Sequence, residues 1–231
     1  MNHPSAPLRQ PILSTLGNAV LRAFFHLLYH SMAWSYDLVA AIVSVGRWKS
    51  WSLAAASLVS GSRVLELGHG PGHLQVYLNA AGVDVFGIDE SRQMSRQAAR
   101  RLYKNGYPIR LARGVAQSLP YLAESFDSVL ATFPTNYIFD PRTLAEIQRV
   151  LRPGGKLVVL MAAWITGNSP IEQLMAFVTR VTRQTPPPDE DLSRCIEPFT
   201  EAGFQASLKF EEVRGSRLML ILAYKDHSLL K

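Results

Sequence analysis

The sequence predicts an α/β fold: a mostly parallel, doubly wound sheet with an antiparallel strand pair at its C-terminal end and helices in front of it. Three observations lead to this prediction. Short apolar segments alternate with segments of helical periodicity from about residue 60 onward, turns rich in glycine separate them, and two apolar segments follow one another near the C-terminus. The length agrees, because 231 residues that are 48% apolar suffice for one well-packed domain with an appendage.

The first predicted units are a strand, a glycine loop and a helix. Residues 64–67 form the first strand, and residues 74–78 continue with helical periodicity. Residues 83–88 form the second strand. The helix after it begins at Ser91, a favourable N-cap, and ends at Asn105-Gly106.

The second half continues the same alternation. Strands are predicted at 109–113 and 128–132, and Pro141 begins a helix at its first turn, where a missing N–H costs nothing. Residues 152–155 (Arg-Pro-Gly-Gly) are predicted to end that helix as a turn. The remaining predicted elements are a strand at 156–161, a helix around 171–182, a breaker at 186–188, a helix ending at 202–203, and two adjacent strands at 205–213 and 217–223.

The residues most suited to ligand binding are 66–72 (Glu-Leu-Gly-His-Gly-Pro-Gly), directly after the first strand. Glycines let the backbone approach a ligand with no Cβ in the way, and the next helix presents its positive N-terminal end. Asp89, at the predicted end of the second strand, can accept hydrogen bonds from both hydroxyls of a ribose. His73 stands where the dinucleotide fingerprint G-x-G-x-x-G has its last glycine. The pattern predicts a Rossmann-like nucleotide site without that fingerprint.

The motifs resemble those of class I S-adenosylmethionine-dependent methyltransferases of the type 11 group. Four occur in order between about residues 62 and 162, namely 66–72, 87–94, 114–120 with 125–129, and 147–155. The group includes enzymes similar to ubiquinone and menaquinone biosynthesis methyltransferases. The resemblance implies an enzyme that takes S-adenosylmethionine as cofactor and moves its methyl group to a small apolar or lipid-like acceptor, quinone-like or phospholipid-like.

The resemblance also implies roles for single residues. The glycine loop lies under the methionine part of the cofactor, Asp89 binds the ribose, and Met94 lies near the adenine. The implied cofactor contacts are Tyr36, Glu66, Gly68, His69, Gly70, Gly72, Asp89, Glu90, Met94, Val115, Ala116, Gln117 and Thr132.

One position departs from the family. Where Val115 stands, the family usually has an aspartate that receives the adenine amino group. Either Gln117 supplies the acceptor or backbone groups around Ala116 do. No catalytic base is assigned, because a sulfonium methyl is already activated and its transfer needs mainly alignment and exclusion of water. The candidates for a base are His30, His69, His73, Tyr137 and Asp140.

The chain is predicted to divide into an N-terminal helical segment, 1–56, and a Rossmann-like methyltransferase domain, 57–231. Residues 36–39 and 44–51 look like the N-terminal segment of the quinone-modifying enzymes, which folds over the cofactor pocket. Apolar residues at three- and four-residue steps between Leu13 and Leu27 predict an amphipathic helix. This helix either packs on the domain as a lid or contacts an anionic membrane.

The net charge of +6 and the isoelectric point near 9.6 raise the question of anionic partners. Residues 91–113 hold seven cations and no acid, and Arg92, Arg96 and Arg100 form one helical stripe. No nucleic-acid-binding module accompanies them, so the sequence favours a solvated helix face and no nucleic-acid partner. No metal site is predicted. One cysteine, Cys195, and the lack of a signal peptide or an apolar membrane span predict a cytoplasmic protein, with peripheral membrane contact left open.

Two other classes of function use a similar first unit. An NAD(P)-dependent oxidoreductase should carry the G-x-G-x-x-G fingerprint, which is absent here. A cofactor-binding protein without catalysis would keep the glycine loop and Asp89 but have no open acceptor pocket.

Overall fold

The structure, a computed structural model, describes residues 46–166 and 193–226. Within these residues the strands form one sheet. They are β1 Arg63–Leu67, β2 Asp84–Asp89, β3 Leu111–Arg113, β4 Phe126–Thr132, β5 Leu151–Ile165, β6 Phe204–Glu212 and β7 Ser216–Lys225. Their order is β3-β2-β1-β4-β5-β7-β6, with β1 to β5 parallel and β7 antiparallel to both neighbours. The predicted fold class is confirmed.

The described residues contain five α-helices, two of which begin at the signals that the sequence carries. They are α1 Trp48–Ala56, α2 His73–Ala80, α3 Arg92–Lys104, α4 Pro141–Val150 and α5 Glu197–Glu201. The Ser91 hydroxyl accepts the N–H of Met94 and caps α3. The Asp140 carboxylate accepts the N–H of Arg142, and Pro141 occupies the first position of α4.

Both faces of the sheet are covered, because alternate side chains of each strand point to opposite sides. Leu65 of β1 packs in one core cluster with Ile147 of α4 and Phe199 of α5. Its neighbour Val64 packs in the second cluster with Trp51 of α1 and Leu78 of α2. This two-sided burial explains why the central strands are almost continuously apolar.

Two predicted boundaries change in the structure. The third strand is shorter than 109–113 and begins at Leu111. The predicted turn at 152–155 is wrong, because strand β5 already begins at Leu151 and the register against β4 shifts across this stretch. Gly154 has φ +73°, so the Pro-Gly-Gly sequence forms a bulge within the strand.

Several predicted elements lie outside the described residues. These are the amphipathic helix between Leu13 and Leu27, the helix around 171–182 and the breaker at 186–188. The division into 1–56 and 57–231 stays a prediction. The described part of the first segment, α1, packs against the sheet. None of the described helices is long and apolar enough to span a membrane.

Phe126 allows a test of the core. Its ring is fully buried between Phe86 and Tyr121, with ring centroids 5.4 and 5.1 Å away. Because Phe126→Ala leaves a cavity, we expect the free energy of unfolding to fall by about 3–5 kcal/mol in urea titrations. The control Leu122→Ala removes a side chain that is 81% exposed and should change it by less than about 0.5 kcal/mol. Equal effects of the two substitutions would contradict this packing.

Candidate functional site

The candidate site lies at the carboxyl ends of β1, β2 and β4, where the glycine loop 68–72 turns back over the sheet. The N–H of Gly68 donates to the Ile88 carbonyl at 2.8 Å and fixes the start of the loop on the end of β2. Gly68, Gly70 and Gly72 have φ of +66°, +53° and +83°. Side chains disfavour this left-handed region, so the loop can take this path because it is rich in glycine.

The three glycines serve different purposes. A Cβ on Gly72 would lie 2.7 Å from the Cβ of Ala98, so this glycine allows the loop to pack on α3. A Cβ on Gly68 would lie 3.3 Å from the hydroxyl of Tyr137. A Cβ on Gly70 would meet nothing within 4 Å among the residues that the structure describes. Gly70 is therefore the glycine whose bare backbone faces open space that a ligand can use.

Asp89 ties the loop to the end of β2. Its Oδ2 accepts the N–H of Gly70 at 2.9 Å, and its Oδ1 accepts the N–H of Ser91 at 2.8 Å. The carboxylate is thus oriented without any ligand. Each carboxylate oxygen can accept more than one hydrogen bond, so capacity remains for two ribose hydroxyls. Glu90 follows at an exposed position, and its carbonyl accepts a bond from Arg113.

A buried polar cluster supports the loop from below. Gln75 Nε2 of α2 donates to Glu66 Oε2 at 2.7 Å, and both side chains are buried. Burial raises the pKa of Glu66 to about 8, although the bond from Gln75 lowers it. Glu66 is therefore protonated at neutral pH. Sequence reasoning missed Gln75, whose signal is a polar residue between the buried Leu74 and Leu78 of one helix.

His69 belongs to the same cluster. Its Nδ1 lies 2.8 Å from the Gly70 carbonyl, and burial lowers its pKa. The neutral ring donates from Nδ1, and its Nε2 has no hydrogen-bond partner among the described residues. A Cβ on Gly87 would lie 2.9 Å from the His69 ring and 3.0 Å from Gln75, so Gly87 makes room for the cluster. His69 thus braces the loop from inside the protein.

A second polar group lies after β3, where the adenine was expected. Ala116 is buried and Val115 is exposed. Gln117 Nε2 donates to Asp140 Oδ2 at 3.3 Å. Side-chain and backbone bonds from Arg142 hold the pKa of Asp140 at about 2, so Asp140 is a permanent acceptor. The amide nitrogen of Gln117 donates to Asp140. The amide oxygen therefore points away from this bond and can accept a hydrogen bond from a ligand.

Aromatic side chains border the end of β4. Phe133 follows Thr132 directly and has φ +49°, a strained value for a bulky residue. Its ring stacks on Trp48 of α1 at 4.2 Å between centroids, and Trp51 lies 6.1 Å away. Sequence reasoning named Thr132 but missed Phe133, because no local sequence pattern indicates its strained backbone.

The structure brings most of the predicted site residues to this edge of the sheet. Glu66 lies in β1 and the loop follows it, Asp89 ends β2, and Thr132 ends the neighbouring β4. Met94 is buried in the first turn of α3. Tyr36 lies outside the described residues.

Parts of the chain are similar to known methyltransferases. Residues 65–159 match a family model described as a methyltransferase domain. The ubiquinone/menaquinone biosynthesis C-methyltransferase of Bordetella avium is 35% identical over 139 residues, which are 57% of this chain and 54% of that protein. The demethylmenaquinone methyltransferase of Symbiobacterium thermophilum is 34% identical over 146 residues, 59% and 58% of the two chains.

A solved structure supports the same fold. The S-adenosylmethionine-dependent methyltransferase of Thermotoga maritima gives a TM-score of 0.57 at 21% identity and covers 87% of this chain and 99% of its own. The chain shares its fold with this solved structure, and its residues 65–159 are similar to a methyltransferase domain. It spans a little more than half the length of the curated relatives that it matches.

The structure describes the surroundings of four of the five candidates for a catalytic base. His69 is buried beneath the loop, and Asp140 is held ionised with its pKa at about 2, which makes it a weak base. His73 is exposed at the start of α2, and the Tyr137 hydroxyl lies beside Gly68. His30 lies outside the described residues. The catalytic base stays unassigned.

The pKa of Glu66 predicts how the stability of the domain depends on pH. Its folded pKa of about 8 exceeds the ordinary glutamate pKa of 4.5, so the folded state binds the proton more tightly. This stabilisation is complete below the unfolded pKa and is lost as the pH rises through the folded one, by on the order of 1 kcal/mol per pH unit. Glu66→Gln keeps an acceptor for Gln75 but does not titrate. We expect urea unfolding of this variant to lose that pH dependence.

A matched control for this measurement is Glu201→Gln, which changes an exposed glutamate at the end of α5. It should keep the wild-type slope of unfolding free energy against pH. A Glu66→Gln variant with the wild-type slope would show that Glu66 ionises normally in the folded protein.

Proposed function

We propose that this chain is an S-adenosylmethionine-dependent methyltransferase that moves the methyl group to a small apolar acceptor, quinone-like or phospholipid-like. The observation that carries the cofactor assignment is the Asp89 carboxylate, fixed by the N–H groups of Gly70 and Ser91 beside the open side of Gly70. A pre-oriented carboxylate next to bare backbone suits a ribose followed by a linear chain.

The proposed cofactor contacts follow the two ends of this site. Asp89 takes the ribose hydroxyls, and Glu90 lies next to it. The methionine part lies on the loop at Gly68 and Gly70, with Glu66, His69 and Gly72 supporting the loop and Thr132 at the neighbouring strand end. The adenine lies between Met94 and the segment Val115, Ala116 and Gln117. Tyr36 is proposed to reach the methionine end.

The cofactor supplies an activated methyl group, so this chain has to bind, orient and exclude water. In-line displacement needs the nucleophile held in a near-attack position and a pocket closed to water. The rigid loop, clamped by Asp89 and braced by His69, holds the donor side. The aromatic residues beside β4 border the side of the site where the acceptor binds.

The proposal of an apolar acceptor is supported by Trp48 and Phe133. Their stacked rings give the carboxyl edge of β4 an apolar border, and apolar pockets with a few polar groups are typical of small-molecule sites. The similar proteins of Bordetella avium and Symbiobacterium thermophilum are named for quinone methylation. Cytoplasmic location, with membrane contact through the N-terminal segment, is part of the same proposal.

The acceptor can be identified by incubating the full chain with quinone and lipid extracts and isotope-labelled S-adenosylmethionine, followed by mass spectrometry. A labelled quinone or lipid supports the proposal, and label found only in water-soluble metabolites contradicts the acceptor class. Calorimetry with S-adenosylhomocysteine, NADH and NADPH tests the cofactor. Preference for a nicotinamide would favour the oxidoreductase alternative, and cofactor binding without any transfer would favour the non-catalytic one.

A substitution at Gly70 tests the open side of the loop. Gly70→Val fills the space proposed for the methionine part, and we expect calorimetry to show no binding of S-adenosylhomocysteine. The control is Gly82→Val, because Gly82 also has a positive φ, +78°, and also faces open space, but lies away from the loop. The control should bind as the wild type does. Loss of binding in both variants would point to backbone strain instead of a filled site.

Asp89 tests the ribose contact at the same site. Asp89→Ala removes a charge-assisted acceptor, and we expect cofactor binding to weaken by about 1.5–3 kcal/mol, measured by the same titration. Near-normal affinity in this variant and in Gly70→Val would show that the cofactor does not bind at this edge of the sheet.

Gln117 tests the adenine end. Because the Gln117 amide oxygen is left free by Asp140, Gln117→Ala should lower affinity for S-adenosylhomocysteine, whereas Val115→Asp should bind at least as tightly as the wild type. The neighbouring Ser118→Ala, at an exposed position, serves as the control and should bind normally. The opposite pattern, with binding lost in Val115→Asp and kept in Gln117→Ala, would show that the adenine lies elsewhere.

A further inference from the structure

The outer side of α3 carries a row of cations. Arg92, Arg96, Arg100 and Lys104 follow at four-residue steps, and each step turns only about 40° around the helix. All four are exposed. The opposite side of the helix buries its apolar residues, which are Met94, Ala98 and Leu102. We call the four cations together with Tyr103 the basic face of α3.

The charge of the basic face is not neutralised within the described residues. Other cations nearby have hydrogen-bond or ion-pair partners. Arg101 donates to the Pro71 carbonyl, Arg110 pairs with Asp84, and Arg113 donates to the Glu90 carbonyl. Arg92, Arg96, Arg100 and Lys104 form no ion pair or hydrogen bond in the part of the chain that the structure describes. Residues 91–123 contain no aspartate or glutamate at all. The face therefore presents a local positive field.

Apolar side chains are exposed beside these cations. Tyr103 falls on the same side of α3 and is 79% exposed, and Ile109, in the connection to β3, is 52% exposed. Strand β3 is the edge strand of the sheet, so this region forms one end of the domain. The sequence alone favours a solvated helix face. Unpaired cations next to an exposed aromatic ring and an exposed aliphatic side chain fit a different surface better.

That surface is a lipid bilayer. Cations attract anionic head groups. Tyrosine and isoleucine side chains gain free energy when they are buried at the boundary between head groups and acyl chains. A nucleic acid would use the cations and could stack on Tyr103, but it offers no apolar phase for Ile109. We infer that the basic face of α3 docks on an anionic phospholipid surface. The helix of 13 residues is about 20 Å long and lies along the flank of the domain, so it can rest on such a surface without leaving the sheet.

The inference is independent of the proposed methyl transfer, because membrane binding is measured without cofactor or acceptor. Arg92 opens α3 only three residues after Asp89, so the face begins at the edge of the candidate site. Docking would hold that edge near the bilayer, where an apolar acceptor dissolves.

Vesicle sedimentation with the full chain tests the inference. The vesicles are phosphatidylcholine alone and an equal mixture with phosphatidylglycerol. The variant Arg96→Gln/Arg100→Gln removes two charges from the basic face. Each cation near the surface contributes to attraction, so we expect affinity for the anionic vesicles to fall on the order of tenfold or more. Tyr103→Ala should lower affinity while leaving the charge unchanged.

The matched control is Lys209→Gln/Arg217→Gln, which removes two cations from β6 and β7 at the opposite end of the sheet. It should bind anionic vesicles as the wild type does. Equal binding by the two double variants would overturn the inference, as would a wild-type chain that does not distinguish the two vesicle types. Binding of labelled duplex or single-stranded DNA that is tighter than vesicle binding, and that is lost in Arg96→Gln/Arg100→Gln, would assign the face to nucleic acid instead.

Discussion

The site depends on the two hydrogen bonds that the Asp89 carboxylate accepts from the backbone. One oxygen holds Gly70 and the other holds Ser91, so a single side chain joins the glycine loop, the end of β2 and the start of α3. The loop takes positive φ at all three of its glycines, and an unsupported loop of this kind would sample many conformations. Asp89 reduces this freedom before a ligand arrives. Such pre-organisation lowers the entropy that binding has to overcome.

The same loop rests on buried polar groups that are only partly hydrogen-bonded. Glu66, His69 and Gln75 are buried beneath it, and one nitrogen of His69 and the oxygen of Gln75 have no partner among the described residues. Burying a polar group without a hydrogen-bond partner costs free energy. Burial also raises the pKa of Glu66 to about 8, so its side chain is protonated at neutral pH. The polar cluster therefore supports the loop at a cost in stability.

What the sequence could predict depended on how local each signal is. Ser91 and Pro141 mark helix starts through contacts within one turn, and both predictions were confirmed. The alternation of strands and helices likewise specified the mostly parallel sheet. The Arg-Pro-Gly-Gly segment was predicted as a turn and is a bulge, because Leu151 before it and Lys156 after it both pair with β4. Gln75 and Phe133 were missed since their roles rest on side-chain contacts with Glu66 and Trp48, which no local spacing reveals. The individual cofactor contacts stay predictions.

The two halves of the proposed reaction are constrained in different ways. The proposed ribose and methionine end of the cofactor site uses backbone groups and a carboxylate within the short stretch 66–89, so geometry restricts which residues can stand there, and a sequence pattern can reveal it. The acceptor side is bordered by Trp48 of α1 and Phe133 after β4, which meet only through the fold. Many apolar residues could form such a border, so no spacing identifies the acceptor. For that reason the sequence predicts the cofactor, whereas the acceptor has to be identified by a chemical experiment.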